Sequence, residues 1–368
     1  MEHCSRLLGR CASVTAAPAP RLEVADDIRE FTAEAFSRGW SDGLPVLHPT
    51  EDLVREFVTA SGLAADFSLG ALYPSGAFCT VELLAVNAVM AGAPPESMPL
   101  LCAAVSAIAD PSFDLPGVNT TTASVVPALV VSGPARDELG IPYRDSALGG
   151  AASPAPAIGR ALRLVVRNVA GQVAGATSAT VFGQPGRVTG IVTAEWEEES
   201  PWPSIGVRRG FPGSSVTAFG VLGTTNVIDT LGTDGREILQ VVGKSLGFMG
   251  NNNMDKGSAF AHQLVALNPI WAHKVYADFP KMEDVQEQLY RYANIPIEQF
   301  PDSMRQVLQN AGKVRSGRVY LMDGPEDVSV IVGGGMGSLH AAMLPGMSNL
   351  LPVTRSLDPR DWPPSRPG

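Results

Sequence analysis

Charge is scarce in this 368-residue chain: only 17% of residues are Asp, Glu, Lys or Arg. Globular proteins carry about a quarter, so a disordered acidic chain or a coiled coil is excluded by composition. Basic runs are also missing, and 27 basic residues face 37 acidic ones for a formal charge of −10. A net-negative surface repels a phosphodiester backbone, so nucleic-acid binding is not expected. No apolar run approaches the ~18–20 residues needed to span a bilayer, and no membrane association is expected. The longest apolar stretches, such as Val125 to Val131, are of strand length. The segment Met1 to Pro20 lacks an apolar h-region and reads as a loose tail, not a signal peptide. Cysteine is rare: Cys4, Cys11, Cys79 and Cys102 form no CxxC and no metal-ligand spacing. Reduced structural thiols and a cytoplasmic location are therefore expected.

What the chain does have is ample apolar residue, 45%, with 38 glycines and 30 prolines as punctuation. This suits a compact α/β or α+β fold. Helices are predicted over 24–38, 82–91, 98–109, 158–169, 235–250, 284–293 and 303–311, from apolar spacing and stop signals. Thr50, followed by Glu51 and Asp52, caps a further short helix. Strands are predicted over 125–132, 188–194, 216–221, 264–267 and 328–332. Residues 1–23 form the tail, 24–355 a single catalytic domain, and 356–368 an extended C-terminal arm.

An internal duplication is suggested over roughly 70–175 and 215–340. Glu82-Leu83-Leu84-Ala85-Val86 resembles Glu237-Ile238-Leu239-Gln240-Val241, and Ala128 to Pro134 resembles Gln263 to Pro269 at an offset of 135. The order in each half is buried helix, polar loop, strand, then proline opening a helix, where its missing N–H is tolerated. The loops preceding the two strands, Asn119-Thr120-Thr121-Thr122 and Asn251-Asn252-Asn253, are dense in hydrogen-bonding groups. They are candidates for holding a polar ligand in a cleft between pseudo-symmetric halves, with ordinary turn and cap duty as the alternative.

Three constellations could carry chemistry. His340 follows a strand and the turn Gly333-Gly334-Gly335-Met336-Gly337. Its ordinary pKa near neutrality suits a general acid–base, and Gly334 and Gly335 would let backbone approach a ligand. This is not a dinucleotide fingerprint, and neither a P-loop nor a G-x-S-x-G elbow occurs. Glu195, Glu197, Glu198 and Glu199 are four carboxylates in five residues, placed before Pro201-Trp202-Pro203. Such a cluster raises its own pKa values for proton transfer or holds a divalent metal ion, unless it is a solvated loop. Arg160, Arg163 and Arg167 recur at helical spacing and could grip an anionic substrate or a protein carboxylate. Asp42, in the loop after Gly39, is a further candidate.

Taken in order, Trp40-Ser41-Asp42-Gly43-Leu44-Pro45, Asn87 to Gly92, Gly159 to Leu164, Gly183-Gln184-Pro185-Gly186, Ser200 to Pro203 and the glycine turn ending at His340 make a pattern. It resembles a bacterial family associated with the UGSC family of (seleno)proteins, from about Ala35 to Arg355. The positions shared with that pattern are Asp42, Arg160, Arg163, Glu195, Glu197, Glu198, Asn252, Asn253 and His340. The Sec/Cys-Gly-Ser-Cys motif of the family name is missing, so thiol chemistry within this chain is not implied, while redox work with a separate partner protein stays open.

These readings converge on an enzyme for a small polar or anionic metabolite, of lyase, hydratase or hydrolase type, needing no organic cofactor. His340, Glu195, Glu197, Glu198 and Asp42 would act catalytically. Arg160, Arg163, Asn119, Thr120, Thr121, Asn252, Asn253, Gly334 and Gly335 would bind substrate. A homo-oligomer is expected. The alternatives are an oxidoreductase component with a thiol or selenol partner, and a non-catalytic binding subunit.

Overall fold

The computed structural model describes residues 19–24, 26–150, 152–254, 260–337 and 339–362. Cys4, Cys11, His3 and Ser338 lie outside the described residues, as do most of the proposed N-terminal tail and the end of the proposed C-terminal arm. The first part of the chain runs α1 (Ile28–Ser37), α2 (Glu51–Ser61), β1 (Ser68–Leu72), β2 (Ala77–Thr80), α3 (Val81–Ala91), α4 (Met98–Ile108) and α5 (Leu115–Thr120). It continues through β3 (Val126–Ser132), α6 (Ala135–Glu138), α7 (Ala155–Asn168), α8 (Gly186–Thr189), β4 (Ile191–Ala194), α9 (Ile205–Arg208) and β5 (Ser215–Val221). Then follow β6 (Thr225–Ile228), α10 (Gly235–Leu246), β7 (Gln263–Leu267), α11 (Pro269–Asp278), α12 (Met282–Tyr292) and β8 (Asn294–Pro296). The chain closes with α13 (Asp302–Asn310), β9 (Val314–Arg315), β10 (Arg318–Tyr320), β11 (Val328–Val332), β12 (His340–Leu344) and β13 (Val353–Ser356).

Caps set several helix starts. Asp27, Thr50, Thr80 and Asp234 each accept backbone N–H groups from the first turn of α1, α2, α3 and α10. The first helix thus begins at Ile28, later than expected from Val24, because the Asp27 carboxylate ties up the N–H groups of Arg29 and Glu30. Over 188–194 the expected strand is halved: Gly186–Thr189 makes a helical turn, and Gly190, at φ 64°, redirects the chain into β4.

Two four-stranded mixed sheets organise the α/β fold, in the orders β13-β5-β3-β4 and β11-β7-β12-β6. Their pairing patterns are alike. In the first, β3 runs parallel to β4 and antiparallel to β5, which is antiparallel to β13. In the second, β7 runs parallel to β11 and antiparallel to β12, which is antiparallel to β6. The last strand of each set crosses over: β6 follows β5 but joins the second sheet, and β13 follows β12 but joins the first.

Side-chain alternation divides the core into three layers. Leu129, Val131, Val216 and Ala218 face α3, α4 and α7. Val265, Leu267, Val330 and Met343 face α10, α11 and α12. Between the sheets lie Ala128, Val130, Phe219, Val221, Leu264, Ile331 and Leu344. The offset of 135 read from the sequence sets Leu129 against Leu264, yet Leu129 faces helices and Leu264 faces the opposite sheet. A one-residue change in register flips every side chain, so only an even offset preserves facing. Strands β3 and β7 occupy matching places, but the residue match is one out of step.

The described residues nearest each end of the chain pack against the domain. Ala19 N donates to Glu82 Oε2 (2.9 Å), and Arg21 reaches Glu51 (2.9 Å) and Glu82 (2.7 Å). Trp362 packs near Phe67, ring centroids 6.3 Å apart, and donates from Nε1 to Ser356 O (2.7 Å). Among the described residues no single helix is long and apolar enough to cross a membrane.

Candidate functional site

None of the residues proposed from the sequence lines either of the two principal cavities. Most have been drawn into pairings that position loops. Asp42 and Arg160 meet each other: Nε and Nη2 donate to the two carboxylate oxygens, each at 2.8 Å. Burial raises the Asp42 pKa, but hydrogen bonds from Arg160 and Leu44 N and the nearby positive charge bring it below the usual carboxylate range. The pair fastens the Trp40 loop to α7, so neither partner is left to grip a substrate. Arg167 does the same, donating from Nε to Gly39 O (2.9 Å).

Arg163 points inward. It donates to Arg187 O (3.0 Å) and to Gln172 Oε1, whose Nε2 in turn donates to Asn119 Oδ1 (2.9 Å). Asn119 Nδ2 closes the chain on Tyr73 O (2.6 Å). Two proposed ligand contacts are thus brought together as one buried network. Burial, with Arg187 adding repulsion, lowers the Arg163 pKa to about 9, and its Nη1 is buried without a hydrogen-bond partner. Thr120 caps its own helix by donating to Pro116 O (2.8 Å).

The two Asn/Thr loops do converge, on the chain after β12. Thr121 Oγ1 approaches Met347 Sδ (3.8 Å). Asn253 donates to Gly346 O (2.7 Å) and accepts from Ser348 N (2.9 Å). Asn253 is fully buried and Asn252 is partly exposed in the same turn. Instead of facing a cleft together, the loops clamp Gly346 to Ser348 between them.

The glutamates separate because the chain leaves β4 at Ala194 and turns. Glu195 is 1% exposed at the end of the inter-sheet layer. It accepts from Ile205 N (2.7 Å) and Val332 N (3.3 Å), with Arg208 Nη2 at 3.9 Å. Burial drives its pKa up to about 7, against the pull of Arg208 and the two backbone donors. Glu197 accepts from Gly133 N (2.6 Å) and Glu198 pairs with Arg136. The expectation of a common metal site is not supported here, since the three carboxylates are committed to different partners. Among the described residues no group of three or more His, Cys, Asp or Glu is placed to hold a metal.

Gly334 and Gly335 serve packing: Gly334 N donates to Tyr143 O (2.9 Å), and a Cβ on Gly335 would meet Asp145 Oδ1 at 2.0 Å. His340 is exposed on β12 and contacts Asn226 Nδ2 through Nδ1 at 3.1 Å. It shares a sheet end with Glu195, but β7 lies between β11 and β12, which sets the backbones of β11 and β12 two strand spacings, about 10 Å, apart. The assignment of one acid–base site to His340 and the glutamates is therefore corrected: the sheet order separates them. Cys79 and Cys102 are buried free thiols, and burial pushes Cys79 up strongly and Cys102 to about 12. Both are poor nucleophiles in this state.

A cleft of about 520 Å³ opens at the edge where β13 faces the start of β11. Its walls include His262, Arg209, Arg355, Asp110, Asp327 and Thr354. His262 precedes β7 and faces the inter-sheet layer. Its Nε2 lies 2.8 Å from Ser329 Oγ on β11, which fixes the ring. Burial, and after it the positive charge of Arg209, lowers the His262 pKa to about 3, so the ring is neutral. Arg209 donates from Nε to Thr354 Oγ1 (2.7 Å) and from Nη2 to Pro352 O (2.6 Å). Thr354 is itself held by Thr217 Oγ1 at 3.0 Å. Among the described residues no carboxylate pairs with Arg209, while Arg355 is neutralised by Asp110 at 2.6 Å. Burial raises the Asp327 pKa although Asp323 N and Gly324 N donate to it.

Sequence reasoning missed this site. Neither His262 nor Arg209 was among the candidate residues. The usable signal was a histidine at the mouth of a buried strand together with an Arg-Arg pair before the turn Gly210-Phe211-Pro212-Gly213. No protein-family model matches the chain, and no curated protein matches it by sequence.

Proposed function

We propose that the chain is an enzyme that binds a small anionic metabolite in the cleft lined by Arg209 and His262 and moves a proton with His262. One observation carries this reading: Arg209, a cationic wall residue paired only with neutral oxygens, stands beside a neutral, oriented histidine. A guanidinium so placed retains N–H capacity and charge for a carboxylate or phosphate. Ser329 holds His262 Nε2, leaving Nδ1 as the ring nitrogen without a protein partner among the described residues.

Burial, and after it the positive charge of Arg209, keep His262 a weak base. A bound anion offsets the smaller of the two, the field of Arg209, and so raises the affinity of the imidazole for a proton when substrate is present. Proton abstraction beside a carboxylate, or from a water attacking the ligand, is the chemistry this pairing supports. That places the reaction among additions, eliminations or hydrolyses. Neither Cys79 nor Cys102 lines the cleft, so thiol redox chemistry has no foothold there.

Calorimetric titration with a panel of small mono- and dicarboxylates and phosphate monoesters tests the proposal. At least one should bind, with proton uptake, and Arg209→Gln should weaken it about 10- to 100-fold, the effect of one charge-assisted hydrogen bond. His262→Asn should retain binding and lose the proton uptake. Binding unaffected by Arg209→Gln would overturn the assignment.

A further inference from the structure

A second cavity, about 620 Å³, lies beside α3, away from the His262 cleft. Helix α3 is apolar nearly all round, which predicts burial on every side. Much of its surface is covered by α7, α2 and α4. One stripe, Leu83, Val86 and Met90 at positions i, i+3 and i+7, faces the cavity instead, with Leu83 and Val86 only partly buried.

Aromatic rings form much of the remaining wall. Trp40 lines it, and the His48 ring stacks on Phe31 with centroids 4.3 Å apart and planes 25° apart. Of the polar wall residues, Arg21 and Glu51 are paired with each other, while Asn168 commits its Nδ2 to Trp40 O (2.9 Å) and Asn87 Oδ1 (2.8 Å). Its Oδ1 accepts no hydrogen bond among the described residues, so it can accept one from a ligand. The segment Ala19 to Val24 passes along the cavity, pinned by the Arg21 contacts with Glu51 and Glu82.

We infer that this cavity is a binding site for a small, uncharged, largely apolar molecule that carries a ring and a hydrogen-bond donor. Its volume falls in the range of small-molecule pockets, and a mostly apolar lining with few polar groups is their usual chemistry. The flat aromatic walls favour a ring, Asn168 Oδ1 selects a donor, and the unpacked stripe of α3 supplies the apolar contact. Arg21 belongs to the strap that closes the site.

The test uses the full chain and the neutral fluorophore N-phenyl-1-naphthylamine. Its emission should rise saturably to one probe per chain, and 1-naphthol should displace it several-fold more tightly than naphthalene. Val86→Trp fills the cavity and should weaken probe binding at least tenfold without lowering the melting temperature. Should that variant fail to fold, Leu83→Phe reads the same point. Arg21→Ala should speed probe exchange at least several-fold. Anion binding at the His262 cleft should be unchanged in all these variants, which separates this inference from the proposed activity. Non-saturable emission, equal displacement by naphthol and naphthalene, or undiminished binding in the filled variants would overturn it.

Discussion

Asp42 and Arg160, 118 residues apart in sequence, share two parallel hydrogen bonds of 2.8 Å. Both side chains are 11% exposed, so the pair is dry enough to matter and closes the Trp40 loop onto α7. Removing one partner strands the other. Asp42→Ala is expected to destabilise the fold by about 2–3 kcal/mol, measured by urea denaturation. Because the Asp42 pKa is depressed, its contribution is complete above the unfolded-state value and is lost as the pH falls through the folded one. Wild type should therefore lose this increment below about pH 4, while the variant should not.

Glu195 and His262 make opposite demands on pH. Glu195 is raised to about 7, so the folded state holds a proton the unfolded state has released; its contribution falls as pH rises from about 4.5 to 7. His262 is lowered to about 3, so the unfolded state holds the extra proton; its contribution falls as pH drops from about 6.5 toward 3. Each slope is about 1.4 kcal/mol per pH unit, and between roughly pH 4.5 and 6.5 they cancel. Relative to wild type, Glu195→Gln should gain stability with rising pH in that window, and His262→Asn should lose it. Denaturation at pH 4.5, 5.5 and 6.5 reads both signs.

Gly346 sits where a Cβ would lie 1.9 Å from His262 O. The backbone cannot yield cheaply there, because Asn253 and Gln263 hold Gly346 from both sides (2.7 and 3.1 Å). Gly346→Ala should cost about 1–3 kcal/mol by overpacking and should also weaken anion binding, since it displaces the residue carrying the imidazole. A variant as stable as wild type would show that the contact relaxes freely.

His340 provides the contrasting case. Among the described residues its exposed ring makes one side-chain hydrogen bond, to Asn226, and it lines neither cavity. His340→Ala should change stability by no more than about 0.5 kcal/mol and leave anion titrations unaltered. A large loss of anion affinity would return the site to the glycine turn.

Much of the fold was legible along the chain. The apolar runs of α3, α4, β3, β5, β7 and β11 announce buried elements, and Thr50 and Gly39 mark helix ends by local chemistry that needs no distant partner. Short strands were not legible: β6, β12 and β13 are too brief and mixed to show a period, and they exist because an open sheet edge pairs with them. The candidate site was hidden for a related reason. Asp42, Arg160, Arg163 and the glutamates carry reactive groups, but their availability depends on partners more than a hundred residues away in several cases.

By itself the sequence determined which segments are buried, where helices start, and that few charges would be spent on the surface. Tertiary structure decided which of those charges remain available. Glu195, Glu197 and Glu198 are neighbours in the chain, yet a turn after β4 sends them to Val332, Gly133 and Arg136. His262 and Arg209 are 53 positions apart, and only the approach of β7 to the β13 edge brings them to one cleft. Hydrophobic burial is written in local period, whereas the pairing of polar groups is settled by sheet order and register.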